Sequence, residues 1–222
     1  MSILFVLLTF LLILTVMYFR NSQPAETVVR AADTHSMHLP VMMRYDGFEV
    51  PRGYAFHAGH TWLSDEGHQT ARIGVDAFAA NLFGEIDAID FPELNRWVRQ
   101  GQTLCSVRRG NQKVDLLSPV EGVFTSVNER LSKTPTLATT DPYKDGWFCT
   151  IKAPDLAINT KNLLQGAIVP AWMQNSVLRL SQMLGEISTP GLAQDGGVPA
   201  KGLLFRISSE VQHELTKEFF LT

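Results

Sequence analysis

The stretch from Tyr54 to Lys152 is cut into short apolar runs by turn residues at close intervals, and this constrains the fold more than any other feature. One strand is expected to end around Trp62 and Leu63, Asp65-Glu66-Gly67 to turn the chain, and a second strand to run from Thr70 to Val75. "DAFAANLFGEI" (76–86) breaks the pattern: Phe78, Ala79, Leu82 and Phe83 share one helical face, with Asp76 placed to cap it. "DAIDFPEL", "RWVRQGQTLCSVRR", "GVFTSVNERL" and Trp147 to Lys152 supply further strands. Short strands at this spacing predict a compact sandwich or barrel.

Within this region "RRGNQKVDLLSPVEG" (108–122) reads as a tight hairpin and a bend. Gly110-Asn111 supplies the turn, since both residue types tolerate positive φ. Val114, Leu116 and Val120 alternate on the returning side, and Pro119 ends the strand. Cys105 and Cys149 sit inside apolar runs and are expected as buried free thiols. No C-x-x-C or zinc spacing occurs. His57-x-x-His60 has no third ligand nearby in sequence and is expected to be structural, so no metal is expected. The net charge of −3 gives no reason to expect nucleic acid. No Ser-His-Asp, Cys-His or phosphate-loop arrangement appears, so no catalytic residue and no enzyme is expected.

Ile3 to Phe19 carries no charge, and at ~1.5 Å per residue its 17 residues reach about 25 Å, enough for a thin bilayer. A secretory signal would have a basic start and a small-residue cleavage site, and neither is evident. An uncleaved transmembrane helix within 1–20 is therefore expected. Arg20 and Arg30 follow the run and nothing basic precedes it, which places the body on the cytoplasmic side of the inner membrane. Residues 21–52, with three prolines and weak patterning, read as a tether. Beyond Ala153, "NTKNLLQGAIV" and "PAWMQNSVLRLSQMLGEI" show helical spacing, with Pro170 suited to a first turn. "SSEVQHELTKEFFL" is an amphipathic helix with a Ser cap, and 156–222 reads as a helical extension.

Residues 53–155 hold a set of motifs that together resemble the glycine cleavage system H-protein family. "HTW" (60–62) is similar to an early His-x-Trp, and "IGVDAFAANLFGEI" to a Gly-Val/Ile-x-x-Phe-Ala stretch ending in Leu-Gly, with Phe83 intruding before Gly84. "DFPEL" (90–94) is similar to an x-Leu-Pro segment. "LLSPVEGVFTSVNERL" (116–131) and "DPYKDGW" (141–147) carry the strongest likeness. The resemblance implies a mainly β, lipoyl-type barrel-sandwich hybrid, here with flanking helices. It also implies a carrier role, in which a lysine at the hairpin tip bears a lipoyl arm that visits the other proteins of the system.

Aligned without gaps from Ser118-Pro119, that lysine falls on Asn111 and a preceding glutamate on Arg108, while Asp115 and Leu116 are kept. The nearest amine is Lys113, two residues on and roughly 7 Å down the strand. No lipoate is therefore expected, and the leading reading is a membrane-anchored adaptor that binds without catalysis. The alternative is a lipoyl-carrying shuttle of the glycine cleavage system, or of related one-carbon metabolism, modified at Lys113. Arg108, Arg109, Gly110, Asn111 and Lys113 read either as a solvated turn or as a basic knob that docks a protein partner.

Overall fold

The computed structural model describes residues 11, 12, 15, 40–186 and 199–222. The chain divides into two units, Met1–Leu39 and Pro40–Thr222. In the first, Leu11, Leu12 and Thr15 are helical, and the Thr15 hydroxyl donates to the Leu11 carbonyl at 3.0 Å. The rest of the expected span 3–19, and the tether up to Leu39, lie outside the described residues. Among the described residues no helix is long and apolar enough to cross a membrane.

The second unit is built mainly of antiparallel strands with helices on its flanks. β1 (Met42–Tyr45) and β2 (Phe48–Pro51) form a hairpin. β3 (Ala55–Phe56), β4 (Thr61–Asp65) and β5 (Thr70–Val75) come next, and α1 (Ala77–Phe83) leaves directly from β5. Asp76 caps α1 as its sequence position predicts, its Oδ1 accepting from the Ala79 N–H at 2.8 Å. β6 (Ala88–Asp90), β7 (Trp97–Val98), β8 (Thr103–Arg109), β9 (Gln112–Leu117) and β10 (Gly122–Val127) continue the chain. Two short helices, α2 (Glu129–Lys133) and α3 (Leu137–Thr140), precede β11 (Cys149–Lys152). The strands form a six-stranded sheet in the order β3-β4-β5-β11-β10-β7 and a three-stranded sheet β6-β8-β9.

Alternation decides which side chains meet. It sends Ile73, Ile151 and Phe124 to one face of the six-stranded sheet and Trp62, paired with Gly74, to the other; all four are fully buried, as are Phe56, Phe78, Phe83, Phe148 and Phe220. Trp62 pairs across the sheet with Gly74, where a Cβ would fall 2.6 Å from the indole ring, so the tryptophan needs that glycine. Each such ring removed from water contributes about 1.5–3 kcal/mol.

The chain after β11 packs on the same core. Among the described residues its α-helices are α4 (Leu156–Asn159), α5 (Ile168–Glu186) and α6 (Ser209–Phe220). On α5 Val169, Met173, Val177, Leu180 and Met183 are buried, a stripe three and four residues apart. Leu203, Leu204, Leu215, Phe219 and Phe220 are buried as well.

Several expectations are revised. The tether does not extend to Arg52: residues 42–51 are a hairpin whose Phe48 and Val50 are buried in the core. The signal was Asp46-Gly47, both at positive φ, which is the two-residue turn chemistry of a hairpin. The helix expected across 159–169 is interrupted: a 3₁₀ turn (Thr160–Asn162) ends in extended Leu163 and Leu164, and Leu164 exchanges backbone hydrogen bonds with Phe56. Ser208 occupies the cap position of α6, but its side chain makes no capping hydrogen bond. The "DPYKDGW" loop, which carries part of the family likeness, buries Tyr143 and the adjoining Phe148 and leaves Trp147 half-buried.

Phe48 packs edge-on against Phe78, with ring centroids 5.7 Å apart. Phe48→Ala should therefore destabilise the fold by about 3–5 kcal/mol, read as a lower urea midpoint for the full chain. A loss below about 0.5 kcal/mol would show that residues 42–51 are a solvated appendage.

Candidate functional site

The β8–β9 hairpin forms as its sequence predicts. Arg109 pairs with Gln112 across a two-residue turn, and Gly110 has φ +57 while Asn111 stays at negative φ. Positive φ at the first turn residue alone is the type II′ pattern, which glycine adopts without strain. Asp87 fixes the turn from outside, its Oδ2 accepting from the Gly110 N–H at 2.6 Å. Gly110 and Asn111 are exposed at the apex.

Lys113 is not at the apex. It stands opposite Arg108, on the exposed face of β9, with its Nζ 3.0 Å from Asp115 Oδ1. The three cations of the hairpin are each met by a carboxylate. Arg108 Nε lies 2.6 Å from Asp90 Oδ2, and Arg109 Nη2 lies 3.7 Å from Glu85 Oε2. With Asp87 at the turn, the loop that reads as basic in sequence is balanced in space by acids from the segment 85–90.

The residues at the apex do not fit a lipoyl group. Attachment needs a primary amine, and Asn111 offers a carboxamide. The one lysine of the hairpin is an ion-paired strand residue.

The C-terminal extension reaches the other side of this hairpin. Gln112 donates through Nε2 to Gln212 Oε1 at 2.9 Å, and the Thr222 hydroxyl donates to the Asp115 carbonyl at 3.3 Å. One flank of β9 is thus covered by α6 and Thr222. A partner meeting the hairpin would meet the apex and the Arg108–Lys113 flank. Nothing in the sequence announces these contacts, because the pairs are polar residues far apart in the chain.

His60 lies at a second junction. It is buried, at φ +60, and its Nδ1 is 2.7 Å from Asp76 Oδ2. The ring stacks between Phe78 and Trp172, at 4.5 and 4.6 Å between centroids. His57, its partner in the His-x-x-His pattern, accepts instead from the Gly59 N–H at 3.0 Å. Burial, with His60 nearby, pushes the His57 pKa down. Among the described residues no group of three His, Cys, Asp or Glu could hold a metal.

The "DPYKDGW" loop is clamped by Asn128, whose Nδ2 donates to the carbonyls of Asp145 and Trp147 at 2.7 and 2.8 Å. The buried Tyr143 oxygen accepts from the Ala77 N–H at 2.9 Å. These residues tie β10, the loop and α1 together. Cys105 and Cys149 are buried free thiols, and burial pushes both pKa values up, which keeps them protonated and poorly nucleophilic.

Partial burial works against ionisation of Asp115, but the Ser106 hydroxyl at 2.6 Å and the Lys113 ammonium outweigh it and lower its pKa. A group depressed in the folded state adds stability above its unfolded pKa of about 3.9 and loses it as pH falls through the folded value. The Asp115 carboxyl should therefore titrate below about 3.9 by NMR, and Lys113→Met should raise its midpoint. An unchanged midpoint in that variant would show that the pair is not formed in solution.

A profile of the family described as Glycine cleavage H-protein matches residues 54–175. A glycine cleavage system H protein of Aliivibrio fischeri is 34% identical over 100 residues, 45% of this chain and 79% of that protein. One from Klebsiella pneumoniae is 32% identical over 126 residues, 57% of this chain and 97% of that protein. The crystal structure of a glycine cleavage system H protein from Mycobacterium marinum aligns with a TM-score of 0.44 at 24% identity, covering 47% of this chain and 87% of that one. The motif order, the strand pattern around the hairpin and a match over more than half of its length lead to one conclusion: the chain belongs to the glycine cleavage H-protein family.

Proposed function

We propose that this chain is an H-protein-like domain that carries no lipoyl group and works as a non-catalytic binding module. Its fold is read as the lipoyl-type barrel-sandwich hybrid. Its uncharged run 3–19 anchors it in the inner membrane, and Arg20 and Arg30 orient the body toward the cytoplasm. The partner is a protein, met through the hairpin 108–113.

The observation that carries the reading is the hairpin apex. The family's attachment lysine corresponds to Asn111, which stands exposed at the turn. Lys113 is two positions down β9 and bonded to Asp115. A long acyl arm mounted there would start on the flank of a strand, beside Arg108, instead of at the tip. The non-catalytic part of the reading is supported by the buried, protonated thiols and by the engagement of His60 and Asp76 with each other and with the α1 cap.

The paired charges refine how a partner would be held. Exposed ion pairs are each worth about 0–1 kcal/mol, so opening them costs little, but a balanced loop steers a charged partner weakly. Recognition then rests on the shape of the apex and on Asn111's amide.

Asn111→Lys tests the reading by gain of modification. It restores an amine at the apex on an otherwise unchanged hairpin, and a lipoylation-competent host should then attach lipoate at residue 111. Lys113→Arg, made in the same background, should leave the extent of modification unchanged. Lipoylation that Lys113→Arg abolishes, with residue 111 unmodified, would favour the shuttle reading and end this one.

A further inference from the structure

At the edge of the six-stranded sheet away from β3, the strand β7 and the turn before it leave apolar side chains in water. All four tryptophans are described. Trp62 is fully buried, Trp147 and Trp172 are half-buried, and Trp97 of β7 is 46% exposed. Leu94 lies in the turn that the Arg96 N–H closes on the Glu93 carbonyl, and it is 55% exposed.

Strand register builds this edge. Val98 stands opposite Gly122 and is buried, while Trp97 stands opposite Val123. The Asn95 N–H donates to the Phe124 carbonyl at 2.8 Å, and the Phe124 N–H donates to the Arg96 carbonyl at 2.9 Å. These bonds fasten the turn to β10, so Leu94 and Trp97 stand on a fixed edge. Directly paired residues share a face, which puts Trp97, Val123 and Lys152 in one row across β7, β10 and β11. Lys152 is exposed and two strand spacings, roughly 10 Å, from Trp97.

The local charge is positive in a chain whose net charge is −3. Residues 94–100, "LNRWVRQ", hold Arg96 and Arg99 and no acid, and Glu93 borders them. Both arginines are exposed. A tryptophan and a leucine in water beside arginines suit a membrane–water interface. There the indole settles at headgroup level and basic side chains are drawn to anionic lipid. Two apolar side chains are few for a stable protein interface, which takes about 800 Å² from each partner.

We propose that this edge of the domain rests on an anionic lipid surface. Leu94 and Trp97 enter the headgroup layer, and Arg96, Arg99 and Lys152 meet acidic headgroups. The proposal rests on the reading of 3–19 as a membrane anchor. Residues 20–39 are 20 in number, and a chain of that length spans at most about 70 Å. With the anchor in place, lipid is always within reach of the domain. The contact is then intramolecular, so a small apolar edge with a few cations is enough to hold it.

The test places the full chain in vesicles of phosphatidylcholine with or without phosphatidylglycerol, with a polarity-sensitive dye on Leu94→Cys. Cys105 and Cys149 are buried, so the dye goes to residue 94. Its emission should shift to the blue when phosphatidylglycerol is present. Arg96→Ser with Arg99→Ser should lower the bound-to-free ratio by about thirtyfold, at about fivefold per arginine. High salt should act in the same direction, and Trp97→Ser should reverse the shift. Arg96 and Arg99 are exposed, so the double variant should keep the melting temperature of the parent. The same dye on Asn175→Cys should stay in water, because α5 packs on β3 at the opposite edge of the sheet. Flotation after an alkaline carbonate wash scores the anchor separately: a chain that the wash strips has no anchor, whereas the dye reads the edge before the wash. A dye at 94 that stays in water, an equal shift at 175, or a shift that the double arginine variant leaves intact overturns the proposal.

Discussion

The buried contact between His60 and Asp76 lies where α1, α5 and α6 meet the sheet. One oxygen of Asp76 caps α1 and the other bonds His60. The imidazole lies between Phe78 of α1 and Trp172 of α5, with Phe219 and Phe220 of α6 close by. The family domain and its C-terminal extension therefore share one polar pair inside an aromatic cage. Removing one member of such a pair strands the other in a dry site, at a cost of about 3–5 kcal/mol. The extension is fastened to the domain and is part of its core.

That attachment determines what the hairpin can present. Because α6 is seated at the His60 cage, its outer residues reach β9 and cover one flank. Gln212 bonds Gln112, and Thr222 bonds the backbone of Asp115. The apex is held from the other side by Asp87. A carrier arm works by swinging from a tip, and here the tip is a short amide on a turn braced from both sides. The same extension also sets Gly202 against Asn81 and Gly84 at the end of α1, so it bears on two different parts of the domain.

Features set by local chemistry could be read from the sequence. The cap at Asp76, the Gly110-Asn111 turn, the burial of both cysteines and the amide at the apex depend on neighbours a few residues away. The motifs from His60 to Trp147 carried the family. Features set by distant partners could not be read. The run Arg108 to Lys113 sums to a basic loop in any linear window, but β6 and its flanks bring Glu85, Asp87 and Asp90 alongside it. His60 was explained by its motif, yet its stacking partner Trp172 lies far along the chain, in α5. The β1–β2 hairpin was legible and was hidden by context: Asp46-Gly47 is a strong turn signal, but the prolines around it suggested a tether.

The central claim is that the hairpin bears no cargo. It is tested most directly by the intact mass of the unaltered full chain, purified from cells that lipoylate their own carrier proteins and mapped by peptide sequencing across residues 103–117. The account predicts the unmodified mass, with Lys113 a free amine. A lipoyl adduct on Lys113 would contradict it and would make this chain a working shuttle with its arm on the flank of the strand.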